Sequence, residues 1–180
     1  MDVSELEAGL PEIERSPTQE GTVELVVRRP AEDEREVLDE GVLDVNEGLI
    51  GDDWLARGTS RSPDGSPPDP GTQITLMNAR VIALLAGDRE RWPLAGDQLY
   101  VDLDLSPENL PPGTRLTIGS ALAEVTDVPH TGCAKFTERF GQAAIRFVNS
   151  PSGRARRLRG MHVRVIEPGI VRPGDSIRKL

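Results

Sequence analysis

Polar and apolar residues alternate along Gln98-Leu99-Tyr100-Val101-Asp102-Leu103-Asp104-Leu105 and along Met161-His162-Val163-Arg164-Val165-Ile166. Such period-two patterns predict half-buried strands. Thr22–Arg28, closed by Pro30, and Gln73–Met77 read as strands from their β-branched content. Arg115–Ile118 and Ala121–Val128 flank Gly119-Ser120, a dipeptide suited to a tight type II′ hairpin. Ile170–Ile177 reads as strand and turn. Helical spacing occurs in three places. Val81, Ile82 and Leu85 share a face of Ala79–Ala86, which Asn78 is placed to cap. Val37, Leu38 and Val42 suggest a short surface helix from Ala31 to Leu43, ending near Gly41. Phe136, Phe140, Ala143, Ala144 and Phe147 form a stripe carrying all 3 phenylalanines of the chain. Met1–Glu20 reads as a flexible acidic tail ahead of one domain over 21–180, and Gly58–Gly71 as a solvated loop. The expected fold class is mainly β, an antiparallel β-barrel-like domain with a few short helices.

Composition sharpens this picture. Aromatic residues make up only 3% of the 180 residues, so aliphatic side chains must fill the core. One cysteine rules out an internal disulfide framework and fits a reducing, cytoplasmic setting. Neither a signal peptide nor a membrane-spanning run is evident, which predicts no membrane association. The net charge of -9 is unevenly spread: residues 135–180 hold 11 basic against 3 acidic residues. An acidic protein with one cationic segment suits a small anion better than a nucleic acid, which is not an expected partner. The alternative reading is that the two regions pair with each other across the fold.

Candidate chemistry centres on Pro129-His130-Thr131-Gly132-Cys133-Ala134-Lys135-Phe136. The aromatic stripe places Cys133 at the start of a helix, where unpaired N–H groups favour a thiolate. Lys135 and Arg139 would add to that effect, and Gly132 would let a ligand or the backbone approach. A thiolate can ligate a metal, attack an electrophile or carry sulfur; a small buried hydrophobe is the plainer alternative. His130 is a candidate base for Cys133, with no evident third group to orient it. Arg154, Arg156, Arg157 and Arg159 offer planar forks suited to phosphate or carboxylate. His162 alternates with Val163 and Val165 and so faces away from them. A zinc-type cysteine pair, a His-Glu-x-x-His run and a phosphate-binding glycine loop are all missing from the sequence.

The ordered series Glu47–Asp52, Gln73–Met77, Ala95–Leu99, Leu110–Gly119, His130–Phe136, Arg159–Val165 and Pro173-Gly174-Asp175 resembles the MOSC domain family, the module at the C-terminus of molybdenum cofactor sulfurases. The resemblance implies a β-rich barrel and places Cys133 at the family's characteristic cysteine, thought to ligate molybdenum or hold a persulfide. It implies molybdenum cofactor (Mo-pterin) as the cofactor, with His130, Thr131, Gly132, Lys135, Arg139 and Arg154, Arg156, Arg157 and Arg159 shaping the site. Pyridoxal phosphate is associated with the family through a separate domain, and this chain is too short to carry it. Where many relatives have an Arg-Asn pair, this chain has Asp97-Gln98. The implied partners are a small anionic cofactor or sulfur species, and a cysteine desulfurase or molybdoenzyme. Two further roles stay open: a non-enzymatic adaptor, and a molybdenum-dependent reductase of N-hydroxylated compounds fed by a separate electron donor.

Overall fold

A computed structural model describes residues 2–58 and 66–180. The elements run α1 (Val3–Glu7), α2 (Leu10–Ile13), β1 (Glu20–Arg28), β2 (Glu36–Leu38), β3 (Gly41–Asp44), β4 (Gly48–Leu49), α3 (Trp54–Arg57), β5 (Ile74–Asn78), α4 (Ala79–Ala86), β6 (Leu99–Asp102), β7 (Arg115–Ile118), β8 (Ala121–Val125), α5 (Ala134–Asn149), α6 (Pro151–Ala155), β9 (Met161–Glu167), β10 (Gly169–Val171) and β11 (Ser176–Lys179). Strands β11, β7, β8, β9, β5, β6 and β1 follow one another around a barrel, which closes where β11 pairs with β1. β2 hangs on the outer edge of β1, and β10, β3 and β4 make a small second sheet.

The barrel is mixed, which corrects the expectation of an antiparallel one. β5 and β6 run parallel, with Leu76 opposite Leu99 and Asn78 opposite Val101. A parallel pair needs a crossover, and α4 with the 3-10 turn Arg89–Ala95 supplies it. Asn78 starts that crossover as expected: its side chain accepts from the N–H groups of Arg80 and Val81.

Alternation along the strands builds two cores. Val23, Val26, Leu76, Leu99, Val101, Leu116, Ala123, Val163 and Val165 fill the barrel. Leu25, Val27, Met77 and Tyr100 point outward and meet Val81, Ile82, Trp92, Phe136 and Phe147 beneath the helices. A bulge in β1 between Val23 and Leu25 accounts for Val23 and Val26 both facing inward. The phenylalanine stripe therefore packs on the barrel's outer wall, although Gly141, at φ 87°, breaks α5 into two helical stretches.

Two local expectations give way. Residues 36–44 form β2 and β3 rather than a helix, since Val37, Leu38 and Val42 serve two short strands. Where a flexible acidic tail is expected, α1 and α2 seat Leu6 and Ile13 in the outer core. Residues 59–65 of the expected solvated loop lie outside the described residues. Among the described residues, no helix is long and apolar enough to cross a membrane.

Candidate functional site

The segment from β8 to α5 lies across the end of β9 and forms one wall of a cleft of about 350 Å³. The cleft is lined by Val128, Pro129, His130 and Thr131 of that segment, by Asn149 at the end of α5, by Arg154 and Arg157, and by Arg159–Met161. Gly160 makes that floor possible. Its φ is 108°, and a Cβ there would sit 2.2 Å from the Leu76 carbonyl oxygen and 3.3 Å from His130.

Behind the cleft lies a buried network that the sequence does not announce. Asp97 has no solvent exposure. One of its oxygens accepts from Arg159 Nη1 at 2.7 Å, and the other meets His130 Nε2 at 2.9 Å. Arg159 also donates to the Ala95 carbonyl and stacks over the Phe136 ring, 4.8 Å from its centroid. Burial alone would raise the Asp97 carboxyl, but the Arg159 guanidinium and His130 bring it down to about 2. Burial and the Arg159 charge lower His130 to about 4 in spite of Asp97, so the ring is neutral at physiological pH. With Asp97 ionised, Nε2 carries the proton and donates, leaving Nδ1 as a lone pair. His162, edge-on to His130 with centroids 4.7 Å apart, is held the opposite way: its Nδ1 donates to the Val128 carbonyl at 3.0 Å. Burial lowers His162 too.

These depressions fix the sign of a pH effect. The unfolded chain takes up protons before the folded one, so the stabilisation is complete above the ordinary histidine range. It is lost as pH falls toward about 4 at His130, and further toward about 2 at Asp97. The His130 part alone is on the order of 3 kcal/mol. Urea-unfolding midpoints measured from neutral to mildly acidic pH are expected to fall steeply in the wild type and less in His130→Gln. A midpoint flat across that range would contradict the network.

The predicted site residues divide. His130, Thr131, Arg154, Arg157 and Arg159 come together on the cleft. Lys135 and Arg139 do not: Lys135 Nζ is 2.7 Å from Glu32 and 3.1 Å from Asp33, and Arg139 is 2.6 Å from Asp33. Their charges are thus offset by a loop on the other side of Cys133. Arg156 pairs with Glu14. The arginine run scatters because Arg157 adopts φ 49° and turns the chain between α6 and β9. Gly132 makes room for protein rather than ligand, since a Cβ there would meet Ile145 Cδ1 at 2.1 Å, and its N–H donates to Asn149 Oδ1. Much of the cationic segment is therefore spent on acidic groups elsewhere in the fold, as the alternative reading of the charge asymmetry has it. Arg154 and Arg157 have no carboxylate partner among the described residues; Arg157 instead donates to the carbonyls of Leu105 and Leu110.

Cys133 is the N-cap of α5, free and exposed. Its carbonyl accepts from the Thr137 N–H, and its side chain makes no capping hydrogen bond. Thr131, two residues before it, lines the cleft, and Lys135, two residues after it, lines the pocket formed with Glu32 and Asp33. The Asp97-Gln98 pair has an inward role: Gln98 accepts from Thr75 N and Oγ1 and donates to the Gln73 carbonyl.

A closed mixed barrel with one exposed cysteine, two residues along the chain from a cleft whose Arg154 and Arg157 have no carboxylate partner among the described residues, defines a cysteine-bearing β-barrel domain. The chain belongs to the MOSC domain family, whose model matches residues 75–178, a domain associated with the molybdenum cofactor. The fold is similar to that of the YuaD protein from Bacillus subtilis, with 21% identity, a TM-score of 0.64, and coverage of 88% of this chain and 94% of that one. It is similar also to YiiM from Escherichia coli, with 20% identity, a TM-score of 0.56, and coverage of 88% and 69%. No curated protein matches in sequence.

Proposed function

We propose that this domain binds a molybdenum–pterin cofactor, with Cys133 as the protein's sulfur ligand to the metal and the cleft beside it receiving the cofactor's anionic end. The observation that carries this reading is the free, exposed Cys133 thiol at the end of the same segment that walls the cleft. The donor set fits. Among the described residues no three His, Cys, Asp or Glu side chains gather to hold a bare metal ion. A metal that arrives on its own organic ligand needs only one soft donor from the chain, and thiolate suits it. Arg154 and Arg157 offer guanidinium donors to an oxyanion, and Thr131 and Asn149 add a hydroxyl and an amide. When bound, the cofactor would supply a redox-active metal, which Cys133 would hold while Arg154, Arg157, Thr131 and Asn149 would anchor the anionic end. The same exposed thiol also suits a persulfide received from a donor enzyme, so that sulfur transfer is the second reading.

The two readings separate experimentally. Protein produced in cells that make the cofactor is expected to carry about one molybdenum per chain, and Cys133→Ser to carry far less. Equal molybdenum in both proteins, or none in either, would overturn the ligand reading. Sulfur transfer instead predicts a 32-Da addition on Cys133, seen by mass spectrometry after incubation with a cysteine desulfurase.

A further inference from the structure

The cleft contains an unusual acceptor for a cationic site. His130 Nε2 is committed to Asp97, and Nδ1 has no hydrogen-bond partner among the described residues. Because Asp97 is fully buried and shared with Arg159, the ring is held as the Nε2–H tautomer. The other charged groups facing the same space are Arg154, Arg157 and the exposed Asp127, while Arg159 and Asp97 neutralise each other behind the ring and His162 lies edge-on to it. The residues lining the cleft therefore bring donors from Arg154, Arg157, Thr131 and Asn149, and His130 brings Nδ1, which is not among the buried polar atoms left without a partner and so is its accessible acceptor.

We infer that the cleft is an oxyanion site selective for phosphate groups that carry a proton, with His130 Nδ1 accepting the P–O–H hydrogen and Arg154 and Arg157 donating to the remaining oxygens. The inference rests on the cleft's assignment to the anionic end of the ligand, and it chooses between two anion classes that the arginines alone would treat alike. Hydrogen phosphate, or a protonated phosphate monoester, satisfies both the donors and the acceptor. Sulfate and thiosulfate are fully ionised and bring no proton, so each would set an oxygen lone pair against the nitrogen lone pair. Leaving such a pair unsatisfied in a half-enclosed site costs about ten- to a hundredfold in affinity. Asp97 is then a positioning residue: it touches no ligand and sets which nitrogen faces it.

Calorimetric titration of the full chain with inorganic phosphate and with sulfate, at equal ionic strength near neutral pH, tests this. Phosphate is expected to bind at least about tenfold more tightly. His130→Phe keeps a ring and removes the lone pair, and the preference is expected to collapse toward unity. Arg154→Met, at an exposed position that leaves the core untouched, should weaken phosphate and sulfate alike. Nitrogen-15 spectra of the wild type should show His130 Nδ1 unprotonated, which reads the tautomer even if the His130 variant does not fold. Equal or tighter binding of sulfate, no binding of either anion, or a protonated Nδ1 would overturn the inference. None of these measurements uses molybdenum or the Cys133 sulfur, so its failure is separable from that of the cofactor reading.

Discussion

Replacing Asp97 with alanine is expected to cost about 3–5 kcal/mol of folding stability, because it strands the Arg159 guanidinium in the interior. The side chain of Arg159 is only 6% exposed, and its remaining contacts are the Ala95 carbonyl and the Phe136 ring. Its Nε already lacks a partner among the described residues, which offer no spare acceptor there. His130 loses its orienting carboxylate in the same step. Pairing the change with Arg159→Met should recover much of the loss, since an apolar side chain carries no charge to strand. Urea unfolding of the two single variants and the double variant measures the coupling; additive losses would show that the pair does not act as a unit.

A second loss of about 3–5 kcal/mol is expected for Asp52→Ala, on the same physical ground. Asp52 receives the backbone N–H, Nε and Nη2 of Arg29, and also the N–H of Trp54. Both side chains are nearly inaccessible, with 0% exposure at Asp52 and 8% at Arg29. Arg29 is raised above its ordinary range by Asp52 despite the cost of burial, which marks it as a permanent cation needing this partner. Asp52→Asn keeps the shape and loses the charge, so it should fall between alanine and wild type in thermal and urea unfolding. A midpoint unchanged by Asp52→Ala would refute the importance of the pair.

The two networks meet in residues 95–98. Gly96 offers its carbonyl to Arg29, Ala95 offers its own to Arg159, and Gln98 reaches toward Asp52. Nothing in Ala95-Gly96-Asp97-Gln98 names these partners from sequence, where Ala95-Gly96-Asp97 reads as the end of a loop and Gln98 as the first residue of a strand. The available hint is a charged residue and an amide directly preceding the apolar run Leu99-Tyr100-Val101, a place where burial demands partners. Those partners, Arg159, His130 and Thr75, are distant in sequence, and no local pattern encodes them. The strands were more legible. Alternation marks β6 and β9, the Gly119-Ser120 turn marks β7 and β8, and Asn78 marks the start of α4, because these features are set by neighbours a few residues away. The parallel pairing of β5 and β6 escaped because alternation does not record strand direction. At the site, His130 and Thr131 line the cleft, whereas Lys135 and Arg139 were claimed by Glu32 and Asp33, which lie about a hundred residues earlier.

The closure of the barrel has a kinetic consequence. Glu20 pairs with Arg178 and Thr22 with Ser176, so the seam joins segments separated by most of the chain. Until β11 has been synthesised, the Glu20–Thr22 edge of β1 stays an open template for stray strand pairing. The seam, with its large loop-closure entropy, is then the natural last step of folding.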